Sequence, residues 1–307
     1  MNFSEDNSEL ERAYKYCESV TKLHARSFYF AAKFLPRAKQ RAVYPIYAFC
    51  RHVDDEIDEI GDGNQAEAIK AVERWRNILS GIYPPTNPDE ELKTKDQRPK
   101  TKDQELVFTA WRDLLKTYDI PSELPLELVQ GVLMDTSIKR YATFDELYVY
   151  CYRVASTVGL MSSEILGYAD KIALEYAEAM GIGMQLTNIL RDVKEDAAMG
   201  RIYLPQEDLR AFDVSEEQIL ANKFDENFAR LMKFQLERAR GFYKKGERGI
   251  AYLEKDSRFT VLLASRIYAK IMDEIEKQNY DVFARRAHTS RMQKILSIPG
   301  IWLQTPK

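Results

Sequence analysis

Histidine and cysteine are both scarce: three of each, at His24, His52 and His288 and at Cys17, Cys50 and Cys151. The cysteines lie far apart and none forms a Cys-x-x-Cys or Cys-x-x-His pair, which excludes a zinc knuckle and argues against a disulfide framework. No Glu-x-x-His pair occurs, so neither a histidine-bearing di-iron bundle nor an HExxH metalloprotease fits. Any metal held by this chain must therefore be held by oxygen. Glycine (13) and proline (11) are too few among 307 residues for collagen-like, low-complexity or β-repeat architectures. No apolar run reaches the roughly 18 residues of a membrane span. The start, MNFSEDNSELER, is acidic and polar, so no secretion signal is expected and the expected location is cytoplasmic. Lys plus Arg at 45 against Asp plus Glu at 48 lacks the basic excess of a dedicated nucleic-acid binder.

What is present is helical periodicity. Apolar residues recur at three- and four-residue spacing through Ala42–Ile60, Leu124–Ile138, Leu147–Ile165 and Ile172–Leu190, and again through Phe228–Leu253 and Val261–Ile275. Strand-like alternation is missing, so the expected fold is all-α. Pro36, Pro121, Pro125 and Pro205 fit helix starts or breaks. The one shift in composition is the polar stretch 83–104, where KTKDQ at 93–97 recurs at 100–104. It is expected to be a mobile surface loop. Periodicity resumes on both sides of it, so residues 1–307 are expected to form a single domain.

Two segments carry chemistry. In the first, Tyr47, Arg51, Asp54 and Asp58 step by four, three and four and share one helical stripe. In the second, Gln185, Asn188, Asp192 and Asp196 step by three, four and four, with Arg191 beside them. Carboxylates stacked one turn apart repel, and burial raises the cost of ionising them, so a cation should compensate. Mg²⁺ (or Mn²⁺) accepts carboxylate oxygens together with water and phosphate oxygens. Two such stripes facing each other would clamp a diphosphate, with Arg51 and Arg191 taking the remaining charge through forked hydrogen bonds. One stripe alone would more often be a solvated helix face. Two, each with an embedded arginine, favour the clamp. Gly181 and Gly183 lack the third glycine and preceding strand of a dinucleotide fingerprint, and read as close helix packing. The small residues Ala155–Gly159 fit either a helix kink or room for a ligand chain.

HARSFYF from His24, AVYPIYAFCRHVDDEID, YCYRVASTVGLM at 150–161 and MQLTNILRDVKEDAAMGRIYLP at 184–205 together resemble the squalene/phytoene synthase family. The likeness runs from about His24 to Trp302. It implies a helical bundle of the class I isoprenoid synthase type around a central cavity. It also implies metal ligation by Asp54, Asp58, Asn188, Asp192 and Asp196, and diphosphate contacts from Arg51 and Arg191. His24, Arg26 and Ser27 match an N-terminal stretch that covers the diphosphate. Tyr47, Gln185 and Tyr268 match further substrate-contacting positions, and Tyr150 a tyrosine near the reacting carbons. The implied reaction joins two prenyl diphosphates head to head, through a cyclopropyl diphosphate. NYDVFARRAH at 279–288 and GLM after ASTV look most like bacterial phytoene synthases, which would use two C20 substrates in carotenoid biosynthesis without a nicotinamide cofactor. Squalene, dehydrosqualene or presqualene diphosphate from C15 substrates is the alternative, and a non-catalytic helical assembly protein a distant one.

From Val282 to Lys307 no Asp or Glu occurs, whereas Arg285, Arg286, Arg291, Lys294 and Lys307 do, beside apolar Ile295, Leu296, Ile298, Ile301, Trp302 and Leu303. Such a segment fits either peripheral contact with an anionic membrane or a terminal helix packed on the core. The sequence pattern specifies no oligomeric state.

Overall fold

The computed structural model describes residues 3–61, 64–83 and 99–307, with side chains from residue 8 onward. The helices run in the order α1 (Phe3–His24), α2 (Arg26–Ala32), α3 (Arg37–Ile60), α4 (Gln65–Ile82), α5 (Lys102–Leu114), α6 (Glu123–Met134) and α7 (Phe144–Cys151). A π turn (Tyr152–Ser156) leads into α8 (Thr157–Leu166), α9 (Ile172–Arg191), α10 (Val193–Ala198), α11 (Gln206–Ala211), α12 (Glu216–Leu220) and α13 (Glu226–Glu247). A short 3₁₀ turn (Arg248–Tyr252) precedes α14 (Lys255–Lys277) and α15 (Arg291–Gln304). Among the described residues extended pairing is confined to two isolated bridges, Arg140 with Ile202 and Tyr168 with Leu253. The all-α expectation is borne out among the described residues.

The apolar stripes bury into two large clusters. The first gathers α1, α3, α4, α5, α6 and α8 around Phe49, Trp75, Phe108 and Trp111, whose rings meet edge-on or tilted at 4.9–6.3 Å. The second gathers α7, α9, α10, α13 and α14 around Leu186, Phe228, Leu236 and Ile275. Helix α3 belongs to the first and α9 to the second, and α8 packs on both. The two acidic stripes thus rise from different cores that share a helix between them. Glu56 ties α3 into the first core. It is 6% exposed, accepts from Trp75 Nε1 (2.9 Å) and Gln104 Nε2 (3.1 Å), and pairs with Arg74 and, at 3.4 Å, Lys100.

Gln104 marks a departure from the expected loop at 83–104. Thr101 accepts a bond from the Gln104 backbone N–H and caps α5, so the second KTKDQ copy starts a helix. A Thr-x-x-Gln spacing before an apolar run carries that signal, but the repeated polar composition hid it. Residues 84–98, which include the first copy, lie outside the described residues.

The prolines also split. Pro36 and Pro205 precede α3 and α11 and Pro125 sits in the first turn of α6, as expected, but Pro45 lies inside α3 and Pro299 inside α15. Of the small residues, Ala155 and Ser156 end the π turn, and Thr157 and Gly159 lie in the first turn of α8. A Cβ on Gly131 of α6 would lie 2.6 Å from Arg153 Cβ, and one on Gly181 of α9 would lie 2.5 Å from Ser156 Cα. The turn is therefore clasped between two helices that approach too closely for any larger residue, which decides for a kink and bears out Gly181 as a packing glycine.

Candidate active site

The second acidic stripe is built at a bend. Helix α9 ends at Arg191, Asp192 adopts φ −106° and ψ 16°, and α10 begins at Val193. The backbone ladder survives, because Asp192 N–H donates to Asn188 O and Asp196 N–H donates to Asp192 O, each at 2.9 Å. The expected stripe therefore persists across two helices rather than one. Along it Asn188 Nδ2 donates to Gln185 Oε1 (3.1 Å), Tyr268 donates its hydroxyl proton to Asn188 Oδ1, and Arg191 Nη1 reaches Tyr268 Oη at 3.5 Å. Gln185, Asn188, Arg191 and Tyr268 form one network.

Asp192 is gripped from two sides. Arg191 Nε donates to Oδ1 at 2.7 Å, and Arg286 donates from Nε to Oδ1 (2.7 Å) and from Nη2 to Oδ2 (3.0 Å). Burial pushes its carboxyl up, but these forks win and hold it below the usual carboxylate range. In the sequence Arg286 stands in the basic tail and in the NYDVFARRAH stretch, and neither assigns it to a carboxylate.

Asp54 and Asp196 behave oppositely. Burial, then Asp58 and Asp135, push Asp54 up to about 8 against the pull of Arg51. Burial, then Asp192 and Asp135, push Asp196 up to about 7 against Arg201. Asp58 is exposed on the turn after Asp54. Arg51 pairs with Asp55, one position to the side of the expected stripe, and its Nε is buried without a hydrogen-bond partner.

Asp135 joins the site without a signal in the spacing of the stripes. It caps α6, accepts from Tyr203 at Oδ1 (2.6 Å) and from Tyr150 at Oδ2 (3.0 Å), and is felt by both Asp54 and Asp196. Burial raises its carboxyl despite the opposing pull of the Tyr203 bond and Arg201. Tyr203 arrives through the GRIYLP segment: Ile202 N–H donates to Lys139 O (3.0 Å), laying that segment beside residues 139–141. Tyr150 is buried, and burial followed by Asp135 and Tyr203 drives its phenol well above the usual range. A lone Asp after an apolar helix carries no periodic signal, so only the packing of α6 against the π turn reveals it.

Tyr47 lies between the halves. Its ring stacks on Phe28 with centroids 6.2 Å apart, and burial, Arg51, Asp54 and Tyr268 all act on its phenol, with a net rise. Ser27 accepts from Lys294 Nζ of α15 at 2.7 Å. His24 and Arg26, at the α1–α2 junction, point to solvent.

Among the described residues no three His, Cys, Asp or Glu side chains close into a ready-made metal cage. The donor set nevertheless suits a hard divalent cation. All donors are oxygen, and two carboxyls are held up near neutrality by burial and by neighbouring carboxylates, a repulsion that a cation would relieve. An Mg²⁺ site that takes one or two carboxylates and fills the rest with water and phosphate needs no cage.

Two acidic stripes from separate cores thus share Asp135 as a common neighbour, with arginines set beside each. The squalene/phytoene synthase profile matches residues 21–293, and the chain belongs to that family. It is 40% identical to a 15-cis-phytoene synthase of Synechocystis sp., over 97% of this chain and 86% of that protein. It is 38% identical to a phytoene synthase of Arthrospira platensis, over 94% and 91% of the two chains. Among solved structures, a dehydrosqualene synthase superposes with TM-score 0.83 at 28% identity, covering 97% of this chain and 98% of that one.

Proposed function

We propose that the protein is a prenyltransferase that condenses two molecules of geranylgeranyl diphosphate head to head into phytoene, a reaction of carotenoid biosynthesis. The observation that carries this reading is the identity to phytoene synthases over nearly the whole chain. The site supplies the matching chemistry.

Asp54 and Asp58 on one side, and Asn188, Asp192 and Asp196 on the other, would hold Mg²⁺ against the diphosphate. The bound metal neutralises phosphate charge and so eases departure of the leaving group. Arg51, Arg191 and Arg286 orient the diphosphate by forked hydrogen bonds, for which Arg51 already has a buried, unpartnered Nε. The C1–O bond breaks and an allylic cation forms. The double bond of the second substrate captures it, closing a cyclopropane with loss of a proton. The second diphosphate then leaves, the skeleton rearranges, and loss of a further proton gives a C40 polyene whose three central double bonds form a conjugated triene. Two diphosphates and two protons are released and no reductant is consumed.

Tyr150, Tyr203 and Asp135 would handle those protons or the departing diphosphate. Tyr150 and Tyr203 already share Asp135 as acceptor. Half-buried apolar side chains lie within a turn of the polar groups along the chain: Leu133 and Met134 beside Asp135, Val154 after Tyr150, and Met184 beside Gln185. Such side chains would help to keep out water that would quench the cation.

Incubating the purified protein with geranylgeranyl diphosphate and Mg²⁺, and weighing the lipid product by mass spectrometry, tests the reading. A C40 polyene with release of diphosphate is expected. Turnover only of farnesyl diphosphate, to a C30 product, would overturn the assigned chain length. Asp54→Ala and Asp192→Ala should each abolish turnover while leaving the helical circular dichroism intact.

A further inference from the structure

Helix α15 has two faces of opposite character. Inward, Ile301 is buried with Ala31 and Leu263, and Lys294 donates to Ser27. Outward, Met292, Leu296, Trp302 and Leu303 are 65–77% exposed, with Ile295 beside them at 48%. At about 100° per residue these five side chains fall within an arc of about 120°, so they form one stripe rather than scattered exposures. A contiguous apolar stripe of this kind on a folded surface marks an interaction site.

We propose that this outward face is a docking surface for an anionic lipid bilayer. Charge selects the occupant. No acidic residue occurs from Val282 to Lys307, while Arg285 and Arg291 are exposed at the start of the helix, and Arg26 and Lys33 are exposed at the ends of the neighbouring α2. A second copy of the chain docked on the same face by two-fold symmetry would bring these cations together with no carboxylate from either segment to meet them. Anionic headgroups complement them. Trp302, with an apolar ring and one N–H donor, suits the boundary between headgroup and acyl chain. Because no described helix is long and apolar enough to cross a membrane, the contact is one of lying on the surface. The same helix reaches the site through Lys294 and Ser27, and the stretch before it places Arg286 on Asp192. Docking therefore sets the bilayer beside the segments that border the diphosphate site. The activity reading does not depend on this inference, because turnover can be measured with substrate dispersed in detergent.

The test is flotation of the full-length protein with phosphatidylcholine vesicles, with and without phosphatidylglycerol. The wild type should float with the anionic vesicles, less with neutral ones, and less as salt is raised. The double variant Leu296→Asp/Trp302→Asp should lose binding by about tenfold or more. It should keep its melting curve and its turnover in detergent, since both side chains face solvent. Arg291→Glu should weaken binding to anionic vesicles alone. Failure of the wild type to float, or equal flotation of the double variant, would overturn the proposal. A lipid-free dimer that the double variant dissociates would overturn it too, by assigning the face to a second copy.

Discussion

Asp192 and Asp54 carry the same functional group and end in opposite electrostatic states. Two arginine forks hold Asp192 ionised, whereas Asp54 has burial and like charges around it. The sign of the pH dependence follows. A carboxyl raised to about 8 in the folded protein binds its proton more tightly there than when unfolded, so metal-free stability falls as pH rises from the ordinary carboxylate range through about 8. Asp196, raised to about 7, adds the same slope over a narrower window. In chelator-treated protein, the melting temperature of Asp54→Asn relative to wild type should therefore climb between about pH 5 and about pH 8.5, a differential that scanning fluorimetry reads directly. A flat differential would remove the raised Asp54 from the account. Asp135 invites a kinetic test at the same scale. Asp135→Asn keeps its shape but weakens what Tyr150 and Tyr203 share, and phytoene formation should fall by about 10²-fold or more with the helical spectrum unchanged. The stripes at Asp54/Asp58 and Asn188/Asp192/Asp196 could be read from spacing because a helix repeats. Asp135, Tyr203 and Arg286 could not, because each meets the site through a turn or through the neighbouring core.

At the scale of elements, the bends matter more than the straight runs. The π turn after Tyr150 is pinned by Gly131 and Gly181, and the chain reverses through Gly200, at φ 70°, to deliver Tyr203. A methyl on Gly181 would strike backbone atoms that cannot step aside. Gly181→Ala should therefore cost about 1–3 kcal/mol in urea unfolding and also reduce turnover, as the Tyr150 segment is displaced. Glu56 offers a second test. Replacing it with Ala strips a buried arginine, an indole and an amide of their shared acceptor, at a cost of about 3–5 kcal/mol. Circular dichroism melting should show the loss. Helical periodicity exposed α3, α9, α13 and α14 in the sequence. It was silent on the π turn, on the break at Asp192 and on the start of α5, because those depend on packing partners distant in sequence.

For the whole molecule, the site belongs to neither core alone. Repulsion of Asp135 with Asp54 and with Asp196 works against bringing the cores together, and a divalent cation held there would reverse its sign. Chelation should abolish turnover and lower the melting temperature. Mg²⁺ should restore both, with the melting point rising with metal concentration as ligand linkage requires. An unmoved melting point on adding Mg²⁺ and a diphosphate would show that the cores are set without the ion.

The sequence by itself determined the helical class, the two acidic stripes, the oxygen-only donor set and the family, because each is written in spacing or in contiguous motifs. Tertiary structure decided which charges meet. It placed Arg286 on Asp192, moved the partner of Arg51 to Asp55, and put Asp135 within reach of both stripes. It also turned the mixed basic and apolar tail into a helix with one face on the core and the other in solvent. Periodicity fixes which residues share a face of a helix, but only the packing of one helix on another fixes what that face meets.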